Sequence, residues 1–205
     1  TVTVVSSADA TNNIWFAPSG TTVFSAGVTM TTAGGTSTTI LAPATAGSYK
    51  LFVIDAAGNY SSASTAVLTV DNTAPTAAIT YSDADGIVKS GDSLIITATF
   101  NEAMADSPIP KIAISGSNTL SATNMTKTDT THYTYTHTVG SGNGASTVAL
   151  SIGTDVAGNV ITATPTSGAS FTVDNTAPVN QDTVFAASVS KVGGATVTVV
   201  SSGDA

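Results

Sequence analysis

Val70-Asp71-Asn72-Thr73-Ala74-Pro75 returns unchanged as Val173-Asp174-Asn175-Thr176-Ala177-Pro178. Each copy closes a run of apolar alternation. Its proline fixes φ and removes a ladder donor, so one strand ends there and a new segment begins. The spacing, 173 − 70 = 103 residues, is that of one small domain. A second repetition frames the first. Thr1-Val2-Thr3-Val4-Val5-Ser6-Ser7-Ala8-Asp9-Ala10 reappears as Thr196-Val197-Thr198-Val199-Val200-Ser201-Ser202-Gly203-Asp204-Ala205, so the copied period is 196 − 1 = 195 residues. A period that holds two unlike units is the pattern of a quasi-linear array. The expected divisions are a unit A over 1–70 lacking its first strand, a linker over 71–75 and a unit B over 76–173. A second linker follows over 174–178, and 179–205 supply the first strands of the next unit A.

Composition narrows the class. Forty-one per cent apolar residues against nine per cent charged suffices for two modest cores. The excess of Thr, Ser, Val, Ala and Gly favours strands and turns over helices. Glu occurs once, as Glu102, Arg is absent, and the net charge is −8. No basic stripe exists to displace counterions from phosphates, which excludes nucleic acid as a partner, whereas divalent cations suit the balance. With no cysteine, neither disulfides nor thiolate zinc sites can hold the fold. No apolar run in the sequence approaches the roughly eighteen residues that span a bilayer.

Alternation predicts the strands. In unit A, Val2 and Val4 alternate with Thr, Ile14-Trp15-Phe16 forms a short aromatic strand, and Tyr49, Leu51 and Val53 share a face. In unit B the inward sets are Leu94, Ile96, Ala98 and Phe100; Tyr133, Tyr135, His137 and Val139; and Val148, Leu150 and Ile152. Asp83-Ala84-Asp85-Gly86 lacks the closing glutamate of a calcium loop and reads as a hairpin turn. Residues 184–189 and the copied strand from Thr196 open the next unit A. They complete a neighbouring copy, by covalent continuity or by strand addition.

The paired hexapeptides, Asp55-Ala56-Ala57-Gly58-Asn59 with its counterpart Asp155-Val156-Ala157-Gly158-Asn159, and Val88-Lys89-Ser90-Gly91-Asp92-Ser93-Leu94-Ile95-Ile96 together resemble the prokaryotic Ig-like tandem repeats of surface adhesins and S-layer proteins. The resemblance covers nearly the whole chain. It implies an all-β fold of tandem immunoglobulin-like Greek-key sandwiches, with Trp15 as core tryptophan and Gly47-Ser48-Tyr49-Lys50-Leu51 as tyrosine corner. It also implies an extracellular, calcium-stiffened stalk, filament or lattice wall at the cell surface, and no catalysis.

The two Asp-x-Ala-Gly-Asn loops lie 155 − 55 = 100 residues apart, each between a buried strand and the last strand of its unit. In sandwich topology that loop shares a pole with the incoming linker and with the loop holding Glu102. Unit B would there gather Asp71, Asn72, Glu102, Asp155 and Asn159, a set of hard oxygen donors from three segments of the kind calcium requires. Asp55 and Asn59 are the counterparts in unit A, and Asp174 and Asp9 complete the candidate metal ligands. The same residues equally serve as caps of tight turns whose glycine takes positive φ.

His132 and His137 are five apart on one strand and point to opposite faces, so they share no metal. No nucleophile elbow, phosphate loop or paired glutamates is present, and the chain reads as no enzyme. Asn59-Tyr60-Ser61 and Asn124-Met125-Thr126 match glycosylation triplets. Two functions compete. One is a structural repeat of a cell-surface assembly that propagates head to tail through copies of itself. The other is an adhesin module that recognises a glycan or a protein surface. Near-identity of the two chain ends favours the first.

Overall fold

Period-two alternation of Val, Ile, Thr and Ala, broken every few residues by Gly, Asp, Asn or Ser, leaves strands as the only elements that bury their apolar side chains. The computed structural model describes residues 1–179, and these contain no helix. Six strands precede Pro75: β1 (Val2–Thr3), β2 (Asn13–Pro18), β3 (Thr31–Gly34), β4 (Thr39–Ile40), β5 (Gly47–Ile54) and β6 (Leu68–Val70). Among the described residues nine follow it: β7 (Ala77–Tyr81), β8 (Ile87–Val88), β9 (Ser93–Phe100), β10 (Lys111–Gly116), β11 (Leu120–Asn124), β12 (Thr126–Lys127), β13 (His132–Thr138), β14 (Gly144–Ser151) and β15 (Ser170–Val173). The expected strands over 184–189 and from Thr196 lie outside the described residues.

The later strands form two sheets, ordered β12-β13-β9-β7 and β11-β10-β14-β15-β8. All pairings are antiparallel except β8 with β15. One core lies between them. Leu94, Ile96, Ala98 and Phe100 of β9 and Tyr133 of β13 face Ile112, Val148, Leu150 and Phe171 of the other sheet. Ile152 departs from the expected inward face. It is 45% exposed with φ at 75°, because the chain must turn at Gly153, where a Cβ would lie 2.6 Å from Pro110 Cγ. The turn at Asp83–Gly86 is also not a hairpin. It carries the chain from β7 in one sheet to β8 in the other, with Gly86 at φ 69° and the Asp85 carboxylate accepting from Ile87 N–H at 2.9 Å.

The earlier strands form a two-stranded sheet, β1-β4, and a four-stranded sheet, β3-β2-β5-β6. Ile14, Phe16, Ile40 and Tyr49 are its buried centre, with Val2, Val4, Leu51, Val53 and Leu68 packed around them. The Tyr49 hydroxyl donates to the Thr45 carbonyl at 2.7 Å. Trp15 is not part of this core. Ile14 and Phe16 take the inner face of β2, so alternation sends Trp15 to the outer face. There Phe24, from the loop between β2 and β3, covers it edge-on at 5.8 Å and also packs on Phe52 and Tyr60 at 5.2 and 5.5 Å.

Residues 71–76 form no strand, and side chains hold them from both sides. The Asp71 carboxylate accepts from Thr73 N–H at 2.9 Å, and the Asn72 amide donates back to the Ala44 carbonyl at 2.8 Å. Pro75 is buried and its carbonyl accepts from Thr162 N–H, while Asn101 Oδ1 accepts from Thr76 N–H at 2.7 Å. The second hexapeptide repeats the pattern. Asp174 accepts from Thr176 N–H at 2.8 Å, and Asn175 reaches back to the Gly142 carbonyl at 2.6 Å. Identical sequence thus yields the same turn and the same backward tie at both joints.

Candidate metal centre

The loop after β14 is built by its own residues. Gly158 adopts φ 99°, which a side chain would disfavour, and this turns the chain so that Asp155 N–H meets the Asn159 carbonyl at 3.0 Å. Asp155 Oδ1 then accepts from the N–H groups of Gly158 and Asn159 at 2.7 and 2.8 Å. Its Oδ2 accepts from the Asn159 side-chain amide at 2.8 Å. Asp155 is 2% exposed. Burial alone would push its carboxyl up, but the bonds from Asn159 and Gly158 outweigh burial and hold it below the ordinary range.

Two more carboxylates converge on this anchored one. Glu102 follows the end of β9, and Asp71 opens the linker. One oxygen from each of Asp71, Glu102 and Asp155 can be chosen so that all three lie within 4.8 Å of one another. Thr69, Ala103 and Val156 wall the same cleft, of about 340 Å³. Burial, then the negative charges of Asp71 and Asp155, push the Glu102 carboxyl up. Three carboxylates this close repel by on the order of 1 kcal/mol per pair even at the dielectric of water. A cation would reverse that sign. Oxygens on opposite sides of a calcium ion, each at about 2.4 Å, lie ~4.8 Å apart, so the spacing fits one shell.

The other expected ligands are placed differently. Asn159 stands beside the triad and ties it together: its amide nitrogen donates to Asp155 and also to the Asp71 backbone carbonyl at 3.0 Å. Asn72 faces away, onto Ala44. Asp55 and Asn59 close the sister loop with the same bonds, Asp55 accepting from Asn59 N–H at 2.8 Å and from the Asn59 amide at 2.9 Å. That loop is exposed, and no further acidic group joins it among the described residues. Asp174 caps its own linker turn, and Asp9 caps a turn at Thr11, and among the described residues neither joins a carboxylate cluster.

Sequence reasoning passed over Asn101, whose side chain fixes the linker beside Glu102. An Asn directly after a buried strand and before the chain's one Glu was the available signal. The histidines behave as their spacing predicts. His132 pairs with Asp129 at 2.9 Å, and His137 is buried against Asn118 on the opposite face. No protein-family model matches the chain, and no curated protein matches it.

Proposed function

We propose that the chain is a structural repeat of an extracellular cell-surface assembly, built of tandem immunoglobulin-like sandwiches that propagate head to tail and are stiffened by calcium at their joints. The observation that carries this reading is the convergence of Asp71, Glu102 and Asp155 where the linker enters the second pair of sheets. A cation held there locks the linker's angle to the unit it enters. Asn72 meanwhile holds the same linker to the preceding unit, so adjacent residues serve opposite sides of one joint. The immunoglobulin-like assignment is supported by the Tyr49 corner bond and by the parallel pairing of β8 with the last strand β15. In this reading the chain catalyses nothing.

Calorimetric titration with calcium tests the joint. One site per chain is expected in the native protein, and loss of that site in Asp155→Asn and Glu102→Gln. Binding that survives both replacements would refute the joint as the calcium site. Electron microscopy of the native cell surface tests the wider reading, which expects a periodic filament, stalk or sheet.

A further inference from the structure

The two segments that the linkers load directly lie side by side in the later sheets and run the same way. The entry segment is β7 and β8, joined through the turn at Asp83–Gly86, and the exit segment runs from Thr162 through β15 to Asn175. Val88 pairs with Val173 in parallel, and Ala78 pairs with Ser167 in parallel. Backbone bonds cross along the whole seam. Thr166 N–H donates to the Ala77 carbonyl at 2.8 Å, Ile79 N–H to Ser167 at 2.9 Å, Thr172 N–H to Gly86 at 2.8 Å and Asp174 N–H to Val88 at 2.8 Å. The Tyr81 hydroxyl adds a bond to the Gly168 carbonyl at 2.6 Å. At the two ends Thr162 N–H donates to the Pro75 carbonyl at 2.9 Å, and Ser90 N–H to Asn175 Oδ1 at 2.6 Å.

The linkers attach at opposite ends of this seam. Gly144, the first residue of β14, pairs with Val173 beside the exit linker. From there β14 runs eight residues, roughly 26 Å at ~3.3 Å per residue, towards the Asp155 loop, where Asn159 holds Asp71 of the entry linker. Tension along the chain therefore draws β7 and β8 back towards Asp71 and draws β15 forward towards Asp174. Because the strands are parallel, the pull runs along them in opposite senses and slides one past the other. Bonds that lie across the direction of sliding are strained together, so no one of them opens ahead of the rest.

We propose that this parallel seam is a tension clamp, the contact that keeps the unit folded when the array is pulled end to end, with the direction of load resting on the head-to-tail reading above. At equilibrium each bond of the seam contributes modestly. Forced unfolding is governed instead by the rate of crossing the barrier, and that barrier rises with the number of bonds that must fail at once. A cation at Asp71 stiffens the joint, whereas the seam holds together the unit behind it.

Single-molecule stretching tests the clamp. The chain has no cysteine, so introduced thiols are its only attachment points. Handles on Thr73→Cys and Thr176→Cys, both exposed, pull through the two linkers and load the seam in shear. Handles on Ser90→Cys and Thr176→Cys pull β8 and β15 apart from one end and open the same bonds in turn. The length released identifies each rupture, 176 − 73 = 103 residues in one case and 176 − 90 = 86 in the other. The unfolding force is expected to be roughly threefold lower with the second pair of handles. Thr172→Pro removes one seam donor from an exposed position and should lower the force in the first geometry by about a quarter or more. Circular dichroism checks that this variant folds, and the comparison of handles needs no change to the seam. Equal forces in the two geometries would overturn the clamp, as would a folded Thr172→Pro chain as strong as the parent. All forces are measured in chelator, so the calcium joint takes no part. A surface filament without the difference in force removes the clamp and leaves the array; the difference in force without a filament leaves the clamp and removes the array.

Discussion

The Asn159 side-chain nitrogen lies 3.0 Å from the backbone carbonyl oxygen of Asp71, and this bond fastens the linker to the loop that carries Asp155. The same nitrogen holds Asp155 Oδ2 at 2.8 Å. One neutral amide therefore orients a buried carboxylate and fixes the backbone of the residue that brings the second carboxylate. Replacing Asn159 by Ala should cost about 1–2 kcal/mol from the lost bonds and should weaken calcium binding, although no carboxylate is removed. Asn59→Ala removes the equivalent bond in the exposed sister loop and should leave calcium affinity unchanged. Chemical denaturation and calorimetry on the two variants make the comparison.

Calcium that binds only the folded protein should raise its stability by about 2.7 kcal/mol at a hundredfold excess over Kd, an increase of roughly 10 °C or more for a unit of this size. Thermal melts with calcium and with chelator measure this. Glu102→Gln should lose most of the increase, whereas Asp55→Asn should retain it, because Asp55 stands apart from the triad.

The pH dependence without divalent cations has a definite sign at Glu102. Its folded carboxyl is pushed above the ordinary 4.5 by burial and by Asp71 and Asp155, so it keeps a proton that the unfolded chain has already lost. The stability it contributes is full below about 4.5 and is lost as pH rises through the raised value. Acidifying from neutrality into that window should therefore stabilise the native protein more than Glu102→Gln. With calcium present protons compete with the cation, and the difference should reverse. Asp155, held below 3.8 by its hydrogen bonds, acts only at lower pH and in the opposite direction.

Two buried tyrosines should respond oppositely to loss of the hydroxyl. Tyr49 donates to Thr45 at 2.7 Å, so Tyr49→Phe should cost about 1 kcal/mol. Among the described residues the Tyr133 hydroxyl has no hydrogen-bond partner, although the residue is fully buried. Tyr133→Phe removes an uncompensated polar atom and should be neutral or stabilising. Urea unfolding resolves the difference in sign.

Glycine position matters in the same graded way. Gly168 sits at φ 67° where a Cβ would lie 2.0 Å from the Ile79 carbonyl oxygen, and its own carbonyl accepts from the Tyr81 hydroxyl. Gly168→Ala should cost several kcal/mol, because backbone must move. Gly58, at φ 91°, has open space around it, so Gly58→Ala should cost only the strain of the left-handed backbone, about 1 kcal/mol. Melting of the two variants side by side gives the ranking.

Much of this molecule is legible from residues alone, because repetition and alternation are one-dimensional signals. The paired hexapeptides mark where strands stop, the hundred-residue spacing of Asp55 and Asp155 matches two loops of one design, and period two predicts the buried faces of β9 and β13. The grouping of Asp71 and Glu102 with Asp155 could also be inferred, since strand order carries all three to one end. Other features were decided only in three dimensions. Ile14-Trp15-Phe16 is apolar on both faces, so its pattern could not say which face is core, and the Phe24 loop settles the matter by covering Trp15. Turn chemistry at Asp83–Gly86 encodes a reversal of direction but not the sheet the next strand joins, which is decided by pairing with β15. Asp71 and Asn72 are neighbours of similar chemistry, yet one faces the triad and the other Ala44, because each side chain follows a partner distant in sequence. Local spacing determines strands and turns, whereas only packed neighbours determine the face, the sheet and the direction of a side chain.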